Sequence, residues 1–371
     1  MSQLKVIVSG GGTGGHIFPA VAIANAIKKK YPSAQIKFVG AKGKMEMEKV
    51  PKAGYPIEGL WISGLQRKLT LDNLMFPFKL ISSLWEARKI LKAFKPDLAI
   101  GVGGYASGPL LKAATWRNIP TLIHESNSYP GITNRLLGKK VSTVCVAFQG
   151  MEAYFPKGKI VITGNPVRQE ILKLTGKRER AIEHFNLDPH KPVVLVIGGS
   201  QGALSINKAI ETHLSDFTAR GYQLLWQTGK FYFEKAQQAT ALLNDSALQS
   251  HEFIYEMDLA YAVADIVISR AGAMSVTELA IAGKPAILVP LPSAAEDHQT
   301  KNAMTLVVKE AAVLVENHKV QEELFEAVDE ILSDDFKREK LSKNIKELAI
   351  TDADQLILRE VERLVIEKIK G

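Results

Sequence analysis

An apolar run, a glycine-rich loop and a helical pattern follow one another twice in this chain, and that repetition limits the folds open to it. The first copy is LKVIVSGGGTGGH, Leu4 to His16; the second is KPVVLVIGGSQGA, Lys191 to Ala203. The runs at Lys5–Val8 and Val193–Ile197 are apolar and β-branched on both faces, as buried parallel strands are. Each loop opens a helix, and Pro32 closes the first. Two Rossmann-like halves in one chain are therefore expected. A length of 371 residues agrees, being too long for one core.

Further strands are expected at IKFVG, LAIGVGG, PTLIHE and STVCVAF in the first half. In the second they are expected at YQLLWQTG, EFIYEM, ADIVISR and PAILVPLP. Helical stretches between most of them make both sheets mainly parallel. The boundary is placed in VITGNPVRQEI, giving domains 1–163 and 164–371. The tail from Asp354 carries Leu356, Ile357, Val361, Leu364 and Val365 at helical spacing, a last amphipathic helix expected to pack back on the first domain.

Apolar runs fall far short of a membrane span, and the N-terminus enters a strand at once without the layout of a secretory signal. Cys145 is the sole cysteine and lies in an apolar run, which suits a core residue in a reducing compartment. The net charge of +8 suits phosphates, anionic lipid or nucleic acid, and the total alone does not choose among them.

A glycine loop at a helix start offers free N–H groups and the positive end of the helix dipole, which suits phosphate. Besides GGGTGGH and GGSQGA, the chain has GVGGYASG at 101–108 and SRAGAMSVTE at 269–278, each after an expected strand. Ligands of parallel α/β sheets bind at those strand ends, and loops of two facing halves would form a cleft. The Walker A pattern is absent, GGTGGH lies outside the dinucleotide register, and the first half shows no persuasive acidic ribose partner near the end of its second strand. A dehydrogenase is therefore the weaker reading. Neither an Asp-x-Asp motif nor a His/Cys cluster marks a metal site.

The motifs GGTGGH, GGYASGP, HESN, GNPVR, GGSQGA, EFIYEM, SRAGAMSVTE and EDHQTKNA occur in that order between about Val6 and Met304. Together they resemble the MurG family of bacterial peptidoglycan glycosyltransferases, in glycosyltransferase family 28. The resemblance implies a GT-B fold: two Rossmann-like domains, mainly parallel sheets, facing across a cleft. The first domain would bind acceptor and membrane, the second UDP-N-acetylglucosamine (UDP-GlcNAc). It implies inverting transfer of GlcNAc to the C4 hydroxyl of the muramic acid of lipid I, the undecaprenyl-diphosphate-linked MurNAc-pentapeptide. The product is lipid II. It further implies no cofactor and no metal, no nucleic acid, a peripheral place on the cytoplasmic face of the cell membrane, and contacts with other cell-wall synthesis and division proteins. Within the same fold, a diacylglycerol glycosyltransferase or a UDP-GlcNAc 2-epimerase is the alternative. Outside catalysis, the alternatives are a nucleotide-binding protein and a nucleic-acid binder.

Such a transfer needs a base for the acceptor hydroxyl and charge stabilisation for departing UDP. His16 is the candidate base, since imidazole titrates near neutral pH; acceptor positioning or a backbone bond at the helix start are its other readings. Thr13, Gly14 and Gly15 would hold donor sugar or acceptor diphosphate. Asn127 suits sugar hydroxyls or the acetamido group, with His124 and Glu125 orienting its loop, and Tyr105 is placed on the acceptor side. In the second half Ser200 and Gln201, taken to sit at a helix start, would face the phosphates. Arg168 would neutralise the leaving group or reach the base, or else form an interdomain salt bridge. Ala273, Met274, Ser275, Val276 and Thr277 form the helix start at the phosphates. Glu278, expected in the first turn, would accept from the ribose hydroxyls. The resemblance places uracil at the Ile254 backbone and the donor sugar at Gln299. Position 298, often glutamine in the family, is His298 here, which weakens the expectation of a sugar contact there.

Between Arg67 and Lys95 stand seven basic residues and two acids, leaving five of the eight net positive charges. The same stretch holds LTLDNLMFPFKLISSLW, which Pro77 is expected to interrupt. An interfacial patch of Phe76 and Trp85 with Lys79, Arg88 and Lys89 is expected there, extended by Trp116, Arg117, Lys139 and Lys140. Its partner would be anionic lipid.

Overall fold

The computed structural model describes residues 3–64 and 74–370. It divides into two compact units, Met1–Pro166 with Asp352–Gly371, and Val167–Thr351. The division falls three residues beyond the expected boundary, at the Pro166–Val167 peptide.

The first unit is a seven-stranded parallel sheet in the order β3-β2-β1-β4-β5-β6-β7. Its strands are β1 (Lys5–Ser9), β2 (Gln35–Ala41), β3 (Ile57–Leu60), β4 (Leu98–Gly101), β5 (Thr121–Glu125), β6 (Thr143–Val146) and β7 (Ile160–Ile162). Alternate residues of β1 enter different cores, as a sheet covered on both faces requires. Val6 and Val8 pack with Ile23 and Ile27 of the helix Gly14–Lys30. Ile7 packs with Leu110 and Ala87 on the other face. Cys145 is buried in β6, and burial pushes its thiol far up.

The second unit is a six-stranded parallel sheet in the order β10-β9-β8-β11-β12-β13. Its strands are β8 (Val193–Ile197), β9 (Gln223–Gln227), β10 (Leu248–His251), β11 (Ile266–Ser269), β12 (Ala286–Leu288) and β13 (Val313–Leu314). The expected strand EFIYEM is a loop; the strand is the preceding LQSH. Phe253 and Tyr255 of that loop are exposed and pack edge to face at 4.9 Å, while Ile254 between them is buried.

The last helix, Ala353–Lys370, belongs to the first unit. Ile357, Val361 and Leu364 enter the core that holds Ile23 and Ile27, and Glu362 pairs with Lys30 and Tyr31.

The basic segment differs from expectation in three ways. Pro77 starts a helix rather than interrupting one, lying in the first turn of Phe76–Phe94, where its missing N–H costs nothing. Phe76 packs against the core, and Lys79 turns inward, 8% exposed, its Nζ donating to Ser63 Oγ at 3.2 Å. The outward apolar residues are Leu74, Met75, Phe78, Ile81 and Trp85. Arg67, Lys68, Leu71 and Asp72 lie outside the described residues.

Candidate active site

β1, β4 and β5 are neighbours in the sheet, so the loops that follow them meet at one end of the first unit. Val102 N–H donates to Ser9 O at 2.8 Å, and Ser107 Oγ lies 2.9 Å from Ser9 O and 2.8 Å from Gly103 O. Gly103 and Gly104 have φ of +100° and +85°, which glycine adopts without strain. A methyl on Gly104 would run into the Gly11 carbonyl; one on Gly103 would lie 2.8 Å from His16 Cδ2 and Nε2.

His16 Nδ1 is 3.0 Å from Gly11 O. A carbonyl only accepts, so in neutral imidazole the proton lies on Nδ1 and the basic lone pair on Nε2. Thr13, the residue capping the helix Gly14–Lys30, has its hydroxyl 3.5 Å from the same Nδ1. Gly14 and Gly15 are the first helical residues, where backbone N–H groups lack intrahelical partners. Tyr105 is 46% exposed, with its ring against Gly64 and Gly12.

His124 and Glu125 build the loop beneath Asn127. Glu125 Oε1 accepts from Asn127 N at 3.0 Å and from its Nδ2 at 3.3 Å; Oε2 accepts from Gly131 N at 3.1 Å and Asn134 Nδ2 at 2.9 Å. Burial raises the Glu125 carboxyl above its usual range, opposed by these donors. His124 is fully buried, and its Nε2–H donates to Gly164 O at 3.0 Å. Burial pushes its pKa down to about 4.

In the second unit, a cavity of about 660 Å³ opens at the ends of β8, β11 and β12. Its wall includes Gly199, Gly202, Gly272, Ser275 and Gln299. Gly272 caps the helix Ala273–Ala282, which brings that helix start to the cavity. Gln299 Oε1 accepts from Leu291 N at 2.9 Å, which fixes the amide and leaves its NH₂ group as the donor end. His298 Nδ1 donates to Ala295 O at 2.7 Å.

Several expected roles change. Ser200 and Gln201 form an exposed turn, because the helix begins only at Leu204. Val276 is buried, so its side chain belongs to the core, and Thr277 Oγ1 donates back to Ala273 O. Met274 is partly exposed in the first turn. Glu278 is the sixth helical residue, beyond the first turn in which it was expected, so the helix dipole does not favour its charge there. Its Oε1 accepts from Arg168 Nη2 at 3.3 Å and its Oε2 from Tyr261 OH at 3.2 Å. Burial raises its carboxyl, and Arg168 opposes the rise. The Arg168 ion pair lies inside the second unit, not between domains. Ile254 N–H donates to Gln227 Oε1 at 3.0 Å, so a base reading that N–H must displace the glutamine.

Two groups escaped the sequence reading. Arg270 lines the cavity and ties it together, donating to Val289 O at 3.0 Å, Asn317 Oδ1 at 2.8 Å and Ser205 Oγ at 2.9 Å. Its place in SRAGAMSVTE, directly after a strand, was the available signal. Glu46 is 1% exposed under the first glycine loop, accepting from Gly12 N and Ala41 N, each at 2.9 Å. It follows β2 by five residues, at the start of the helix Glu46–Lys52, where an exposed carboxylate would be ordinary. Turned under the loop, it is engaged by backbone instead.

Two parallel-sheet Rossmann-like units, each with a glycine loop closing on a helix start, define the GT-B fold. Residues 6–146 match the glycosyltransferase family 28 N-terminal domain and residues 193–357 the family 28 C-terminal domain. The chain belongs to glycosyltransferase family 28. It is 52% identical over 365 residues to the UDP-N-acetylglucosamine--N-acetylmuramyl-(pentapeptide) pyrophosphoryl-undecaprenol N-acetylglucosamine transferase of Flavobacterium psychrophilum, covering 98% of this chain and 99% of that one. The protein of the same name from Cytophaga hutchinsonii is 53% identical, with 97% of each chain covered. The crystal structure of Acinetobacter baumannii MurG superposes with a TM-score of 0.81 at 29% identity, over 97% of this chain and 99% of that one. A UDP-GlcNAc 2-epimerase from Neisseria meningitidis shares the fold, with a TM-score of 0.65 at 15% identity.

The buried neutral His124 ties stability to pH. Its ordinary value of 6.5 holds in the unfolded chain, against about 4 when folded. Below 6.5 the unfolded chain binds the extra proton, so this contribution is fully present above pH 6.5 and falls until about pH 4. At about 1.36 kcal/mol per unit the loss is on the order of 3 kcal/mol. Urea unfolding of the first unit from pH 7 to 4 should show this slope, and His124→Gln should remove it.

Proposed function

We propose that the chain transfers GlcNAc from UDP-GlcNAc to the C4 hydroxyl of the muramic acid of lipid I, forming lipid II with inversion. The observation that carries this reading is identity of about half the residues, over nearly the whole chain, to transferases whose names state that donor and acceptor. The epimerase likeness is one of fold alone.

The reaction is a single displacement. The acceptor O4–H gives its proton to His16 Nε2, the O4–C1 bond forms, and the bond from C1 to the diphosphate oxygen breaks with its electrons leaving on UDP. The Nδ1–H bond to Gly11 supports this role, because it keeps the lone pair on Nε2. Thr13, Gly14, Gly15, Asn127 and Tyr105 are the acceptor-side and sugar contacts. On the second unit the phosphates take the helix start at Ala273–Ser275 and the Ser200 turn, with Arg168 beside Glu278 as the nearby cation. Glu278 accepts from ribose, Ile254 reads uracil, and Gln299 donates to the sugar.

His16→Ala should fold and bind UDP but lose about 10²–10⁴ in turnover. Labelled UDP-GlcNAc with a lipid I analogue measures it. Unaltered turnover contradicts the base role, and epimerisation without transfer by the native protein rejects the whole reading.

A lipid-borne acceptor calls for peripheral membrane binding, and no helix among the described residues is long and apolar enough to cross a membrane. The contact is the outer face of the helix Phe76–Phe94, where Phe78 and Ile81 are exposed and Lys89 Nζ stands 3.7 Å over the exposed Trp85 ring. Arg88 lies 4.6 Å over Trp116, and a hydrogen bond with Lys140, ahead of desolvation and of the like charge, lowers the pKa of Lys112. Each basic residue near anionic headgroups contributes about 1 kcal/mol, weakened by salt. Cosedimentation with anionic vesicles should therefore fall at high salt and fall further in Phe78→Ser/Trp85→Ser. Equal recovery with neutral lipid contradicts this surface.

A further inference from the structure

We propose that Glu46 is a positioning residue for His16, acting through the peptide group between Gly11 and Gly12. The inference rests on the reading of His16 as the base.

Three observations carry it. Glu46 Oε2 accepts the Gly12 N–H at 2.9 Å, and Gly11 O accepts the His16 Nδ1–H at 3.0 Å. That N–H and that carbonyl belong to one planar, conjugated group, so a carboxylate drawing on the N–H makes the carbonyl a stronger acceptor. Second, the other carboxyl oxygen is held by Ala41 N–H at 2.9 Å, and the residue is 1% exposed. Its charge is therefore fixed in place and shielded from solvent screening. Third, the surroundings leave room for this carboxylate and little else. A methyl on Gly11 would lie 2.8 Å from Glu46 Oε2, and one on Gly40 2.5 Å from Glu46 Cγ.

The result is a series of carboxylate, peptide and imidazole. In it the Nδ1–H is held toward Gly11 O, and the positive charge that imidazole gains on accepting a proton at Nε2 is stabilised from behind. Carboxylates that directly orient a basic histidine do the same two things; here one peptide group is interposed. Among the described residues, the polar groups beside this series include the Thr13 hydroxyl, 3.5 Å from Nδ1, and the Tyr105 ring beside Gly12. Neither carries a carboxylate's charge.

The test uses the full chain labelled with ¹⁵N at histidine and glycine. In the native protein the Gly12 amide should shift with the same pH midpoint as the His16 imidazole. In Glu46→Gln the imidazole midpoint should move to lower pH, because the charged form loses its support. The acid limb of the rate profile should move with it, and kcat should fall about 10–100-fold with KM for UDP-GlcNAc unchanged. Glu46→Asp should recover part of both. A Glu46→Gln protein that folds with an unmoved His16 midpoint overturns the proposal. Should that variant fail to fold, the native titration decides: a Gly12 amide indifferent to His16 overturns the coupling. Retained turnover in His16→Ala would remove the base reading alone, since the two titrations report the coupling without reference to catalysis.

Discussion

Backbone packed directly on backbone at the ends of the central strands is the constraint on which both units depend. In the first, Gly104 lies against the Gly11 carbonyl and Gly103 against the His16 ring. In the second, Gly202 lies against the Thr228 carbonyl and Gly229 against the Gly202 amide. Glycines at 12, 103, 104, 199, 202 and 229 all have positive φ, so the loops are also conformationally committed. Any side chain at the contacts would lift one loop off the other. The imidazole and the cavity wall owe their places to that absence of side chains.

Buried charge does the complementary work. Glu46 and Glu125 each hold a loop by accepting backbone N–H groups, and Arg270 spans the cavity wall by donating to carbonyls and Asn317. An unmade bond at such buried groups costs more than a made one contributes, so each fixes its loop firmly. Glu278 differs, since its donors are the Arg168 and Tyr261 side chains rather than backbone. In the proposed donor site, ribose hydroxyls exchange with those side chains, a change that a backbone-tied carboxylate would not permit.

The repeat, the parallel sheets and the glycine loops were legible because buried strands are apolar on both faces and the loops need glycine. EFIYEM misled for a physical reason. Its β-branched and aromatic residues fit a strand, yet Phe253 and Tyr255 face outward from a loop. The true edge strand LQSH pairs on one side only and is polar enough to pass for a turn. Lys79 and Phe76 read as surface residues because composition shows that a stretch is basic and apolar, not which helical face turns inward. Glu46 was hidden in EMEK, an ordinary solvated helix to the eye. Only the fold reveals that its carboxylate points beneath the glycine loop.

The central claim is that the first unit holds His16 ready to take a proton at Nε2. Nitrogen-15 shifts of the two imidazole nitrogens above the His16 midpoint test this most directly. The account predicts the tautomer with Nδ1 protonated and Nε2 bare, as the bond to Gly11 O requires. A neutral imidazole protonated at Nε2 would contradict it.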